Sequence, residues 1–223
     1  MRAFDLIIFD CDGVLIDSEV LACEAVRQQL SRHGIDLAHA DIMARFLGRS
    51  FAEVQRYYEA HWSQPLPASF VAALRDEMRL AFTEHLAAMP YVSTLLQHLD
   101  IPFCLASSSD PERVEFSLRL AGLYPYFKGR IFTASEVAAA KPAPDLFLLA
   151  AKRMGCDPGR CLVIEDSVSG IEAAKAAGMS VWGFVGGSHH AGEASVVRLE
   201  WAGAARIFAH MSDIEAALRF NEG

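Results

Sequence analysis

Residues 4–13 of the chain read FDLIIFDCDG. The almost unbroken apolar run from Phe4 to Phe9 is typical of a short strand that is buried on both faces of a parallel sheet. The run ends abruptly at Asp10 and Asp12. Since residues two apart on an extended chain point the same way, these two carboxylates face one space. Gly13 then allows the backbone to turn away from the strand.

Three interpretations of this pair of acids are open at this point. The simplest is a polar strand-to-loop turn in which an Asp caps the next element. A calcium loop of the EF-hand type is disfavoured, because it needs oxygen ligands at alternate positions and 14–16 are Val, Leu and Ile. The third is a ligand site, because crowded carboxylates need a proton or a cation between them and open α/β sheets bind ligands at this edge.

The composition favours a globular protein with a sizeable core over a nucleic-acid-binding or membrane protein. The chain has 223 residues, of which 52% are hydrophobic, and a formal net charge of −8. That charge argues against a broad nucleic-acid-binding face. No apolar stretch approaches the roughly 20 residues of a membrane span, and the acid at Asp5 is unlike a signal peptide.

The five cysteines are odd in number and form no Cys-x-x-Cys pair. Free thiols in a reducing cytoplasm fit this pattern better than disulfides or a zinc site. We therefore expect a cytoplasmic protein, and we expect a monomer.

The periodicity divides the chain into a helical insert and an α/β core. Helical patterns without strands fill residues 15–88, and Asp17 stands where the first of these helices would take its N-cap. Strands and helices alternate from residue 89 to the end, with strands near 102–107, 130–133, 161–165, 180–185 and 205–209. Such βαβ repetition predicts a doubly wound parallel sheet, built from residues 1–14 and 89–223.

Polar residues also follow three of the later strands. Ser107 and Ser108 come directly before a predicted helix N-terminus, which suits a phosphate group, although serines also cap helices there. Lys141 begins the rigid segment Lys-Pro-Ala-Pro-Asp, although a lone lysine is often only solvated. Glu165 and Asp166 end an apolar strand, where acids also favour a helix's first turn.

Together these four strand ends resemble, in order, the four motifs of the haloacid dehalogenase (HAD) superfamily, in particular subfamily IA with its phosphatases and β-phosphoglucomutases. The resemblance spans nearly the whole chain and is specific in the core. It implies a Rossmann-like core that carries an inserted α-helical cap domain. It also implies a Mg²⁺ cofactor and a small phosphorylated metabolite as the substrate.

The resemblance assigns roles to individual residues. Asp10 would attack phosphorus and Asp12 would act as the general acid and base. Ser107 would hydrogen-bond the phosphoryl group, with Ser108 beside it, and Lys141 would neutralise its charge. The metal ligands would be Asp10, Asp166 and the backbone carbonyl of Asp12, with Glu165 as a second candidate ligand or a residue that shapes the site.

The insert separates the possible activities. Gly48 and Arg49 resemble the cap's substrate loop, which makes Arg49 a candidate for holding the substrate. A mutase of this branch carries a histidine after the first motif and a cap lysine, whereas this chain has Ala22 there and no lysine in 15–88. We therefore expect a phosphatase, with a sugar phosphomutase and a non-catalytic phosphometabolite-binding protein as alternatives. His189 and His190 are expected to be a solvated loop pair, with a metal site as the less favoured alternative.

Overall fold

The fold is taken from a computed structural model of the protein, which describes residues 3–47, 51–62, 65–190 and 192–220. The chain forms two compact units. The sheet unit consists of Met1–Asp17 and Ala87–Gly223, and the helical unit is Ser18–Leu86. The junctions predicted after residues 14 and 88 lie within a few residues of these bounds.

The described residues of the helical unit form four helices with a hydrophobic core of their own. They are α1 (Glu19–Arg32), α2 (His39–Phe46), α3 (Phe51–Trp62) and α4 (Ala68–His85). Phe70 of α4 is fully buried, with its ring 5.3 Å from that of Tyr58. Arg32 of α1 donates to Glu77 of α4 at 2.8 Å, and Gln29 donates to the same carboxylate. The apolar faces of α1 and α4 are thus buried against each other, and polar side chains of the two helices are hydrogen-bonded to one another.

The sheet unit is built on six parallel strands within its described residues, which confirms the predicted doubly wound core. The strands are β1 (Leu6–Phe9), β2 (Phe103–Ser107), β3 (Ile131–Thr133), β4 (Cys161–Glu165), β5 (Ser180–Phe184) and β6 (Arg206–Phe208). Their order is β3-β2-β1-β4-β5-β6. The apolar β1 lies in the middle, where Ile7 pairs with Phe103 on one side and Leu162 on the other. The strand order reverses between β1 and β4, where a doubly wound sheet opens a crevice at its carboxyl edge.

In the described part of the sheet unit, seven α-helices accompany the strands. They are α5 (Val92–His98), α6 (Pro111–Leu120), α7 (Tyr124–Phe127), α8 (Asp145–Met154), α9 (Val168–Ala176), α10 (Glu193–Ala202) and α11 (Met211–Phe220). Sequence analysis did not predict α7, α10 or α11. In α10 the apolar Val197 and Trp201 are exposed, so its pattern has no clean apolar stripe. Within the described residues, no helix combines the length and the apolar character that crossing a membrane requires.

Asp17 does not cap α1, contrary to the prediction. The N-cap residue of α1 is Ser18. The Oδ1 atom of Asp17 instead accepts hydrogen bonds from the backbone N–H and the hydroxyl of Ser188, at 3.0 and 2.8 Å. This pair joins residues 171 positions apart and fixes the loop after β5 beside the segment that follows β1.

Candidate active site

A buried lysine joins two of the strand ends at the carboxyl edge of the sheet. The Nζ atom of Lys141 lies 2.6 Å from Asp10 Oδ1 and 2.7 Å from Glu165 Oε1. It also donates to the Ala106 carbonyl at 3.1 Å, and its side chain is only 4% exposed. One ammonium group therefore bridges the carboxylates that follow β1 and end β4.

The carboxylates outnumber the positive charge at this place. Asp10, Glu165 and Asp166 each offer an oxygen, and these oxygens all lie within 4.8 Å of one another. Burial raises the pKa of Asp10, and the neighbouring Glu165 and Asp166 raise it further against the opposing effect of Lys141. Burial alone would lower the pKa of Lys141, but Asp10 and Glu165 outweigh it and hold that pKa above its ordinary value. The site thus keeps a charged lysine and has an excess of negative charge.

The Glu165 carboxylate accepts more hydrogen bonds than we expect of a residue whose only role is to bind a metal ion. Its Oε1 atom accepts from Lys141, and its Oε2 atom accepts from the backbone N–H groups of Asp166 and Ser167 and from the Ser167 hydroxyl, at 2.9–3.0 Å. A Cβ atom on Gly170 would come within 1.8 Å of this carboxylate, so the glycine leaves it room. These contacts favour a role for Glu165 in positioning Lys141. They disfavour a role for it as a direct metal ligand.

Asp12 has two partners that sequence analysis did not identify. Ser109 Oγ donates to its Oδ2 atom at 2.7 Å, and the Arg113 guanidinium donates to Oδ1 at 2.9 Å. Arg113 lies in the first turn of α6, whose N-cap is Asp110. Because α6 begins just after β2, its first turn lies at the carboxyl edge of the sheet, as Asp12 does. The position of Arg113 at the start of a helix that follows a strand was therefore the signal available in the sequence.

The serines after β2 differ in their surroundings. Ser107 is buried, and its hydroxyl accepts a hydrogen bond from the Ser109 backbone N–H at 3.1 Å. Ser108 is exposed. Both stand before the N-terminus of α6, where backbone N–H groups favour an anion. Gly48 and Arg49, which were predicted to contact the substrate, lie outside the described residues.

His189 and His190 are not a solvated pair, contrary to the prediction. His189 is 9% exposed, and the His190 side chain is 4% exposed. Both face Asp166, with Nε2 of His189 at 3.0 Å and Nε2 of His190 at 3.9 Å from its Oδ2. Burial lowers the pKa of His190 to about 3, and the nearby His189 and Arg198 add to the effect. Its ring is therefore neutral at physiological pH.

The residues at the centre of this site suit a hard divalent cation. Asp10 and Asp166 present carboxylate oxygens close together, and with Glu165 they place three carboxylates around the single ammonium group of Lys141. Oxygen donors in excess of the local positive charge are what Mg²⁺ requires. Gly13 keeps this space open, because a Cβ atom there would lie 1.8 Å from Asp166 Oδ2.

Comparisons with known proteins identify the family of the chain. The family model for haloacid dehalogenase-like hydrolases matches residues 4–178. The 6-phosphogluconate phosphatase of Escherichia coli strain K12 is 28% identical, over 85% of this chain and 86% of that protein. A probable pseudouridine-5′-phosphatase of Drosophila melanogaster is 34% identical, over 78% of each chain. The solved structure of a HAD family hydrolase from Deinococcus radiodurans R1, with bound phosphate and sodium, has a TM-score of 0.80 and 33% identity, over 100% of this chain and 98% of that one.

Proposed function

Because the chain belongs to the haloacid dehalogenase-like hydrolase family, we propose that it is a magnesium-dependent phosphatase of a small phosphorylated metabolite, a sugar phosphate or similar ester. The observation that carries the proposal is the buried contact of Lys141 with Asp10 and Glu165 beside Asp166. It holds one carboxylate at the strand end, ready to act as a nucleophile, next to a fixed positive charge.

The two similar proteins support a phosphate monoester as the substrate. They are named as phosphatases of 6-phosphogluconate and of pseudouridine 5′-phosphate. The alcohol parts of these esters differ, and both carry several hydroxyl groups. We therefore propose the class of small polyhydroxylated phosphate monoesters and no single member of it.

In the first step, an oxygen of Asp10 attacks phosphorus as the ester P–O bond breaks, which leaves the phosphoryl group on Asp10 as an aspartyl-phosphate. Asp12 gives its proton to the departing alkoxide, so the substrate leaves as a neutral alcohol. In the second step, Asp12 accepts a proton from water as the water oxygen attacks phosphorus. The bond between Asp10 and phosphorus then breaks, inorganic phosphate forms and Asp10 returns to its starting state.

Other residues bind the phosphoryl group and hold the nucleophile. Lys141 neutralises charge on Asp10 and on the transferring oxygens, and Glu165 fixes its position. Ser107 and Ser108, before the N-terminus of α6, donate hydrogen bonds to the phosphoryl oxygens. Mg²⁺ would be held by Asp10, Asp166 and the backbone carbonyl of Asp12, and when bound it would supply charge stabilisation for the phosphoryl oxygens.

The location and the assembly of the protein are also proposals. All five cysteines are free thiols, which supports a reducing cytoplasm. We propose a monomer. A phosphomutase is disfavoured, because the segment 15–88 contains no lysine.

The decisive experiment tests hydrolysis of p-nitrophenyl phosphate with Mg²⁺. We expect chelation to remove the activity and added Mg²⁺ to restore it. Asp10→Asn should lower kcat by about 10²-fold or more, because the amide cannot act as the nucleophile, while the melting temperature stays near that of the wild type. Asp213→Asn, which changes an exposed acid on α11, is the control. Activity that survives exhaustive chelation, or an active Asp10→Asn protein, would contradict the proposal.

Arg49 is proposed to select the substrate. Arg49→Ala should lower kcat/KM for the physiological ester by about tenfold or more, because a charge-assisted hydrogen bond would be lost. Hydrolysis of p-nitrophenyl phosphate should hardly change, since that compound offers little for an arginine to bind. The comparison is made over a panel of sugar phosphates, and equal losses on all substrates would remove Arg49 from recognition.

A further inference from the structure

Two histidines on the loop that follows β5 meet a carboxylate that directly follows β4. One ligand atom each of Asp166, His189 and His190 lies within 4.8 Å of the others. The two imidazole rings are 3.9 Å apart between centroids and inclined by 43°. Because all three side chains are buried, they form a compact group of possible ligands and not a chance surface cluster.

His190 has polar atoms that the surrounding protein does not use. Within the described residues, neither of its ring nitrogens has a hydrogen-bond partner, although both are buried. Leaving buried polar atoms without a partner is unfavourable. Its Nε2 atom is directed toward the Asp166 carboxylate at 3.9 Å, which is too long for a hydrogen bond. Two ligand atoms that bind one metal ion between them are separated by a distance of this order.

The loop is built to hold this arrangement. A Cβ atom on Gly187 would come within 2.7 Å of the His189 ring, and one on Gly13 within 2.9 Å of it. Glycine at both positions therefore lets the ring lie against the backbone. The bonds from Ser188 to Asp17 fix the residue next to the pair. The fold thus leaves room for the His189 ring and fixes the residue next to it.

We propose that Asp166, His189 and His190 bind a divalent transition-metal ion, with Zn²⁺ as the best fit. Imidazole nitrogens suit zinc, cobalt and nickel, whereas Mg²⁺ prefers oxygen ligands. Zinc bonds of about 2.0–2.2 Å to nitrogen and oxygen place tetrahedral ligand atoms about 3.3–3.5 Å apart. The observed separations of 3.0 and 3.9 Å from Asp166 Oδ2 bracket that distance. Three protein ligands leave the fourth position of the ion for water or an anion.

The proposed ion shares Asp166 with the proposed Mg²⁺ site. Binding of Zn²⁺ to the histidines would draw this carboxylate away from the magnesium position, so Zn²⁺ would act as an inhibitor of the phosphatase. This consequence rests on the proposed function, whereas binding of the ion does not.

The test is a titration of the metal-free full-length protein with Co²⁺, whose visible absorption reports its ligands, followed by displacement with Zn²⁺. We expect one equivalent to bind. We also expect His189→Gln and His190→Gln each to weaken binding by at least about tenfold, since even outer partners of a ligand have effects of this size. His210→Gln, which removes an exposed imidazole of the same unit, is the control and should bind like the wild type.

Circular dichroism establishes that each variant is folded, and the two histidine variants give independent measurements. Absence of Co²⁺ and Zn²⁺ binding by the wild-type protein would overturn the proposal. Equal affinity in the wild type and both histidine variants would also overturn it, because the ion would then sit on other carboxylates.

A second measurement follows p-nitrophenyl phosphate hydrolysis at a constant Mg²⁺ concentration. Zn²⁺ should inhibit the wild type and the His210→Gln protein at the same concentration. The Zn²⁺ concentration that inhibits the His190→Gln protein by half should be about tenfold higher. Inhibition with the same midpoint in all three proteins would contradict the competition. If the protein has no phosphatase activity, the Co²⁺ titration still decides whether the site exists.

Discussion

At the scale of single residues, the contacts of Asp12 add to what the four strand ends indicate. Its two carboxylate oxygens accept from Ser109 and Arg113, so the side chain has a defined direction in the protein. A general acid must point at the leaving oxygen for its proton transfer to be efficient. Arg113 is thus a positioning residue in the proposed mechanism, acting through Asp12.

Replacing Arg113 by Met should therefore impair proton transfer more than substrate binding. We expect kcat for an alkyl phosphate to fall by about tenfold, part of the 10²–10⁴-fold that general acid catalysis contributes, with KM almost unchanged. The loss should be smaller with p-nitrophenyl phosphate, whose leaving group needs no proton.

Arg119→Met is the matched control, because it removes an exposed arginine from the same helix. Steady-state kinetics on both substrates measure the effect. Equal losses on the two substrates together with a lower melting temperature would show that Arg113 is only structural.

At the scale of elements, the packing of α5 against α11 depends on one buried carboxylate. Glu215 of α11 accepts from His98 of α5 at 3.0 Å and also from Arg219. Burial by itself raises the pKa of Glu215, but hydrogen bonds from Tyr91, His98 and Arg219 outweigh it and lower that pKa below its ordinary value of 4.5. The charged form therefore stabilises the folded protein.

The sign of the pH effect follows from this lowered pKa. Stabilisation by Glu215 is complete above pH 4.5 and is lost as the pH falls through the lower folded-state value. Glu215→Gln should lower the free energy of unfolding by about 1–2 kcal/mol at pH 7, the scale of hydrogen bonds to a charged group. The difference from the wild type should shrink below pH 4.5. Urea unfolding at several pH values measures it, with Asp213→Asn as the control, and a difference that is independent of pH would be contrary to expectation.

At the scale of the whole molecule, the sheet unit and the helical unit each enclose a core. The residues buried in the helical unit, including Leu30, Phe46, Tyr58 and Phe70, form a cluster among themselves. A separate cluster lies against β1 and β4 in the sheet unit. Units with separate cores can lose stability separately.

Phe70→Ala should weaken the helical unit selectively. Replacing a fully buried Phe costs about 3–5 kcal/mol, because apolar contacts are lost and a cavity remains. Amide hydrogen exchange should accelerate within residues 18–86, while the strands of the sheet stay protected. Leu80→Ala is the control. It changes an exposed residue later in α4 and should have little effect on exchange. Faster exchange spread evenly over both units would mean that they unfold as one.

The sequence by itself determined the parallel core, and it predicted the helical insert and the candidate site residues, whose roles stay proposals. An apolar run that ends in polar residues is a pattern of neighbours along the chain, so the sequence shows it directly. Parallel strands then bring their carboxyl ends to one edge of the sheet. Asp10, Ser107, Lys141 and Asp166 could therefore be proposed as site residues from local pattern and family resemblance. Only the tertiary structure placed Arg113 and Ser109 on Asp12, across 101 and 97 positions. Likewise, only the fold turned His189 and His190 inward against Asp166, because the direction of a loop depends on anchors such as Asp17 that lie far away in the chain.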